Sequence, residues 1–156
     1  MTDLDLQGAL IREIEELAET QSLKKADGEV WKDYHIYRQD KPYKDDTEDE
    51  DQEDYIIVMI DDEDTDAEGN WVVQVQILFS IMLYEEAHQG NLILANWMNQ
   101  LDQWLCKKHI IDERYEMTGT RSKRFNHECY PNYYECAYIS AWKLPPVHQE
   151  YAEDLI

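Results

Sequence analysis

Residues 71–83 read WVVQVQILFSIML, and this stretch decides the fold. Trp71, Val73, Val75, Ile77, Phe79, Ile81 and Leu83 recur at every second position, the period of a strand with one buried face. Val72, Gln74, Gln76, Leu78, Ser80 and Met82 form a semi-polar second face. At ~3.3 Å per residue such a strand would reach ~40 Å, against a usual ~17–20 Å, so an overhang beyond the domain is expected. Gly69-Asn70 supplies a turn just before it. Upstream, YIIVMI at 55–60 is an apolar run of strand length, read as a buried strand between two solvated acidic loops.

Further out the period changes. Leu94, Trp97, Met98, Leu101, Trp104 and Leu105 fall at helical spacing and predict a helix over 91–105, with Asn91 as its cap. Leu94, Trp97, Leu101 and Trp104 are expected to pack on the inward face of strand 71–83. Leu10, Ile11, Ile14, Leu17 and Ala18 predict a helix over 4–19, with Asp3 or Asp5 to cap it and Glu13, Glu15, Glu16 and Glu19 on its wet side. Asp27-Gly28 reads as a break, and 29–38, 114–118 and 133–142 as strands. RSKRFNHECYPN, at 121–132, is the only basic cluster and falls between the last two strands. The order α-β-β-β-α-β-β implies an α+β fold, two main helices on one face of a mostly antiparallel sheet. Residues 1–146 form one domain with an acidic loop at 44–54, and 147–156, after Pro145-Pro146, a loosely attached tail.

The chain has 156 residues, 43% of them hydrophobic, which suits a single core. Its 14 Lys+Arg against 35 Asp+Glu give a net charge of −21. Fourteen of those acids, with no Lys or Arg, fall within 45–68; the remainder has 21 acids against 14 bases, a net of −7. The acidity is therefore local. It disfavours holding a phosphate backbone or an anionic bilayer by charge. Almost no apolar side chains offset the entropy of ordering residues 45–54, so disorder is expected there. Cys106, Cys129 and Cys136 are an odd set with no CxxC pair, and MTDLDLQGALIREIEEL lacks the basic and apolar regions of a signal peptide; both point to reducing cytoplasm. No apolar run approaches the ~18 residues of a membrane span.

Motifs for chemistry fail one by one. A calcium loop starting at Asp62 has Ala67 and Val73 where Gly and Glu are required, and one starting at Asp64 fails at Val75. His127, Cys129, Cys136 and His148 match no zinc spacing, and the His-Glu-Cys at 127–129 lacks the second motif of a zinc deaminase. Glu85-Glu86 diverge on a turn. No GxSxG, P-loop or GxGxxG occurs. No enzyme, cofactor or metal is expected. Trp97 and Trp104 read as core. Trp31, Trp71, Trp142, Tyr130, Tyr133, Tyr134 and Tyr138 read as core or as part of a protein interface.

Taken together, YIIVMIDDEDTD, WVVQVQILFSIML, YEEAHQG, NLILANWMNQLDQWL and YPNYYECAYISAWKLP resemble the pattern of tail-completion proteins of long-tailed phages and prophages, of the tail terminator type. The resemblance covers about 90 of the 156 residues, and head-tail joining proteins share its plan. It implies a structural assembly protein without enzymatic activity. Such proteins form a ring, commonly of six subunits, at the head-proximal end of the tail. The ring halts tube growth and joins tail tube protein to head-completion protein, in the virion and, during assembly, in the host cytoplasm. A ring needs unlike patches on the two sides of each subunit. Asp61, Asp62, Glu63, Asp64, Asp66 and Glu68 supply one, and Arg121, Lys123 and Arg124 the other. The acids either line the channel and repel passing DNA, or meet the cations of the next subunit. A different class is an acidic DNA mimic that inhibits a nuclease or restriction complex, although a mimic should spread its carboxylates over a face.

Overall fold

The computed structural model describes residues 2–21, 34–40, 54–82, 90–126 and 133–147. The elements are α1 (Asp3–Gln21), β1 (Tyr34–Arg38), β2 (Asp54–Thr65), β3 (Trp71–Met82), α2 (Gly90–Lys108), β4 (Ile110–Ile111), β5 (Tyr115–Asn126) and β6 (Tyr133–Lys143). This is the α+β fold expected, with the two-residue β4 added. The sheet order is β1-β2-β3-β6-β5-β4; only the β1–β2 pair is parallel.

The period of two in β3 is realised as burial. Val73, Val75, Ile77, Phe79 and Ile81 are buried, while Val72, Gln74, Gln76 and Leu78 on the other face are half-buried. Trp71 breaks the series at 50% exposure, and Leu83 lies outside the described residues. The long strand does not leave the domain. Trp71 to Gln74 are flanked by Thr65 to Asp62 of β2, and Val72 to Gln74 also by Lys143 to Ala141 of β6. Backbone hydrogen bonding to two neighbours holds the overhang.

Cross-strand partners share a face. Ile56 and Val58 of β2, then Cys136, Tyr138, Ser140 and Trp142 of β6, therefore line up with the buried set of β3. Ile14 and Leu17 of α1 and Leu94, Trp97, Met98 and Leu101 of α2 complete one cluster with them. Trp97 is 1% exposed and its ring lies 6.4 Å from that of Phe79, tilted by 53°. Trp104 departs from the expected stripe. It is half-buried, and its Nε1 donates to Glu13 Oε2 at 2.8 Å. Lys108 Nζ reaches the same oxygen at 2.8 Å. Glu13, expected on the wet side, instead joins α1 to α2, because a buried indole N–H needs an acceptor.

The helix ends also differ from expectation. Thr2 caps α1: its hydroxyl accepts the Asp5 N–H at 3.3 Å, and Asp5 Oδ2 accepts the Thr2 N–H at 3.0 Å. This reciprocal pair satisfies two donors at once, and Asp3 Oδ1 accepts the Leu4 N–H at 2.8 Å, so Thr2 is the cap residue and both expected acids take first-turn donors. Helix α2 begins at Gly90, one residue before the expected cap Asn91. A Cβ on Gly90 would lie 2.1 Å from the Tyr134 ring, so only glycine lets α2 start against β6.

Strand assignments lengthen in two places. Residues 61–65, read as loop, continue β2 with a register shift between Ile60 and Asp62. The described part of the basic cluster, residues 121–126, read as a connection, belongs to β5, which runs through Asn126 instead of stopping at Thr118. Its register shift between Thr118 and Ser122 contains Gly119 at φ +71°, a conformation that lets the strand bulge and resume pairing. Asp54 is no loop residue either. It opens β2, is 6% exposed, and accepts the Met82 N–H at 2.9 Å. Of the expected strand 29–38, the described part is Tyr34–Arg38. Residues 44–53 of the acidic loop, Glu85-Glu86, Trp31, Tyr130, His127, Cys129 and residues 148–156 lie outside the described residues. Cys136 is buried on β6, which pushes its thiol up to about 12.

Trp97→Ala should cost about 3–5 kcal/mol, the range for removing a large core aromatic. Chemical denaturation checks it; a loss below about 1 kcal/mol would mean that Trp97 does not anchor α2 to β3.

Candidate functional site: two charged strand ends

The acids proposed for the site divide into two groups. Asp61, Asp62, Glu63 and Asp64 sit on the distal half of β2, exposed. Apolar side chains do not hold this half; its backbone pairs with Gln74, Val73 and Val72. Glu63 shares the face of Val73, on the helix side, while Asp62 and Asp64 share the opposite face with Gln74 and Val72. Glu63 meets Asp3 at the start of α1. Partial burial, reinforced by the Asp3 carboxylate, raises its pKa.

Asp66 and Glu68 belong to the hairpin turn. Asp66 Oδ1 accepts the N–H groups of Asn70 and Glu68, each at 2.9 Å, and its N–H reaches Asn70 O at 2.8 Å. The Asn70 N–H is the main cause holding the Asp66 carboxyl below its ordinary value. Gly69 at φ +83° completes the turn. Lys143, at the end of β6, lies 3.8 Å from Asp66 and 3.5 Å from Glu68. The two turn acids thus have a cation in their own chain.

The basic residues also divide. Arg121 Nε donates to Asp102 Oδ1 at 2.7 Å, and Lys123 Nζ to Asn99 Oδ1 at 2.5 Å, so both lean from β5 onto α2. Arg124 points to the other sheet face and is exposed; it has no ion-pair partner among the described residues. The structure brings Arg121, Lys123 and Arg124 together on one strand, and places the β2 acids across the sheet from them. Within one chain the two sets do not meet.

Asp102 is the group that sequence reading missed. Its Oδ1 accepts from Arg121 at 2.7 Å, from the Tyr138 hydroxyl at 2.6 Å and from Cys106 Sγ at 3.6 Å. Burial raises its pKa, and the hydrogen bonds from Tyr138 and Arg121 with the Arg121 charge outweigh that, so the net pKa is lowered. Its position beside Leu101 on α2 gave no signal, because its partners lie 19 and 36 residues away.

No known protein-family model matches this chain, and no curated protein matches it in sequence. Among the described residues no helix is long and apolar enough to cross a membrane.

Asp102→Ala should destabilise by about 1–3 kcal/mol at neutral pH, because it leaves the buried Tyr138 hydroxyl without its acceptor. A carboxylate whose folded pKa is depressed contributes stability above its ordinary value of 3.8, lost as pH falls through the lower folded value. The gap between wild type and variant in urea denaturation should therefore be full at pH 7 and shrink as pH falls below 3.8.

Proposed function

We propose that the chain is a non-enzymatic assembly protein of the tail-terminator type, forming a homo-oligomeric ring that caps a phage or prophage tail tube and joins it to the head. The observation that carries this reading is the placement of two strand segments of opposite charge toward opposite borders of one sheet. One is Asp61 to Asp64 of β2; the other is Arg121 to Arg124 of β5. Unlike patches on opposite sides of a subunit make a head-to-tail contact, and a head-to-tail contact whose rotation closes makes a ring. The element order adds support, since an α+β plan is what the resemblance of the sequence implies. In this reading the β2 acids face sideways toward the next subunit, and the partners at the two rims of the ring are the tail tube protein and the head-completion protein.

Light scattering on the purified chain should give a mass that rises with concentration to a fixed multiple of the 18.7 kDa subunit. Assembly should weaken toward 1 M salt, where screening shortens to about 3 Å. Arg124→Glu should impair it, and Asp62→Lys with Asp64→Lys should partly restore it. Arg124 is the better target than Arg121, whose reversal would also break the pair with Asp102. Assembly indifferent to salt and to these reversals would move the acids to the lumen. A strict monomer that captures a cationic nuclease would replace this reading with the DNA mimic.

A further inference from the structure

Among the described residues, each side of the sheet carries a strand whose outer edge is paired for only part of its length. Strand β1 covers β2 from Asp54 to Val58. Gln39, held at φ 65°, extends the cover by one step: its side chain accepts the Ile60 N–H at 2.9 Å and donates to the Ile60 C=O at 3.0 Å. Beyond Ile60 no described strand lies on the outer side of β2. On the other side, β4 covers β5 only at Tyr115 and Glu116, and His109 O takes the Met117 N–H at 2.8 Å. No described strand lies outside Gly119 to Arg124. Because β2 and β5 run in opposite directions and each is covered near its start, the two open halves sit at opposite ends of the sheet.

Backbone direction in these halves follows from the register. Val58 and Ile60 face Ile77 and Val75 of β3 and turn their hydrogen-bonding groups outward; Glu63 faces Val73, the next member of that alternating set. On β5, Met117 faces Trp142 and turns outward; Lys123 faces Tyr138, of the same set. Glu63 and Lys123 therefore offer backbone N–H and C=O groups to a neighbour, one on an acidic edge and one on a basic edge.

We infer that the contact between copies of this chain is strand addition, the open half of β2 in one copy pairing antiparallel with the open half of β5 in the next. The inference rests on the ring reading above and specifies its interface. With Glu63 opposite Lys123, both side chains lie on the helix-covered face. Asp62 then stands opposite Arg124 on the other face, so these two cross-strand pairs join unlike charges, while Asp64 faces Ser122. Pairing of like edges is discouraged, since β2 against β2 or β5 against β5 would set like charges opposite each other. The occupant is thus a second copy, presented head to tail. The offset between the open halves staggers successive sheets along the strand direction, which closes when the strands tilt against the ring axis.

The test reads backbone amides. The full chain is taken at a dilute, monomeric concentration and at an assembled one, fixed by light scattering, and hydrogen exchange is followed at Glu63 and Lys123. Strand addition slows both amides at least about tenfold on assembly. An assembled chain whose two amides exchange at the monomer rate overturns strand addition and leaves the ring standing. A chain monomeric at every concentration overturns both. Lys123→Pro removes the outward N–H and spares the pairing with β6. It should abolish assembly, whereas Lys123→Gln, which keeps the backbone donor, should assemble with a weaker salt response. A folded Lys123→Pro chain that assembles like wild type overturns the inference; if proline unfolds the chain, the exchange measurement on wild type decides.

Discussion

Burial of one face of β3, with backbone pairing along both of its edges, is the constraint on which the rest of the molecule depends. Val73, Val75, Ile77, Phe79 and Ile81 leave water together only if a layer lies over them, and α1 and α2 provide it. Apolar burial at roughly 25 cal/mol per Å² drives that docking. Because β3 lies inside the sheet, its backbone groups are satisfied by β2 on one side and β6 on the other, for nearly the full length of the strand. A central strand this long carries its neighbours with it. The distal half of β2 and the end of β6 are strands because β3 is there to receive their hydrogen bonds.

That dependence explains how a run of acids becomes ordered structure. Residues 61–65 have almost nothing apolar to bury, and their mutual repulsion opposes any compact arrangement. In a strand, however, Asp62 and Asp64 project to one side and Glu63 to the other, which separates the charges while the backbone pairs. The turn that follows is neutralised from within, by Lys143 and by backbone N–H groups on Asp66. The cations are treated unequally in the same way. Arg121 and Lys123 reach polar partners on α2, and Arg124 remains on the opposite face. The turn acids and Arg121 are thus matched within the chain, while Asp62, Asp64 and Arg124 have no ion-pair partner among the described residues.

The periodic elements were legible in the residues alone. The alternation of 71–82 and the helical spacing of 94–105 name their structures because every turn or pleat repeats the same burial. So was the confinement of 14 acids to 24 positions, a fact of order along the chain. Less legible were Glu13 and Asp102. Each looks like a surface acid at its own position and becomes a hydrogen-bond acceptor only when a distant element arrives, Trp104 in one case and Tyr138 in the other.

The sequence by itself determined the class of the fold, its apolar faces and the segregation of charge, since each is written in local spacing or composition. Only the tertiary structure decided that residues 61–65 and 121–126 are strands, that Thr2 caps α1, and that the two charged segments lie toward opposite borders of one sheet. The physical reason is that an exposed strand carries no apolar period of its own. Its conformation is held by hydrogen bonds to a neighbour far away in sequence, and that neighbour's position exists only once β3 and its helices have packed.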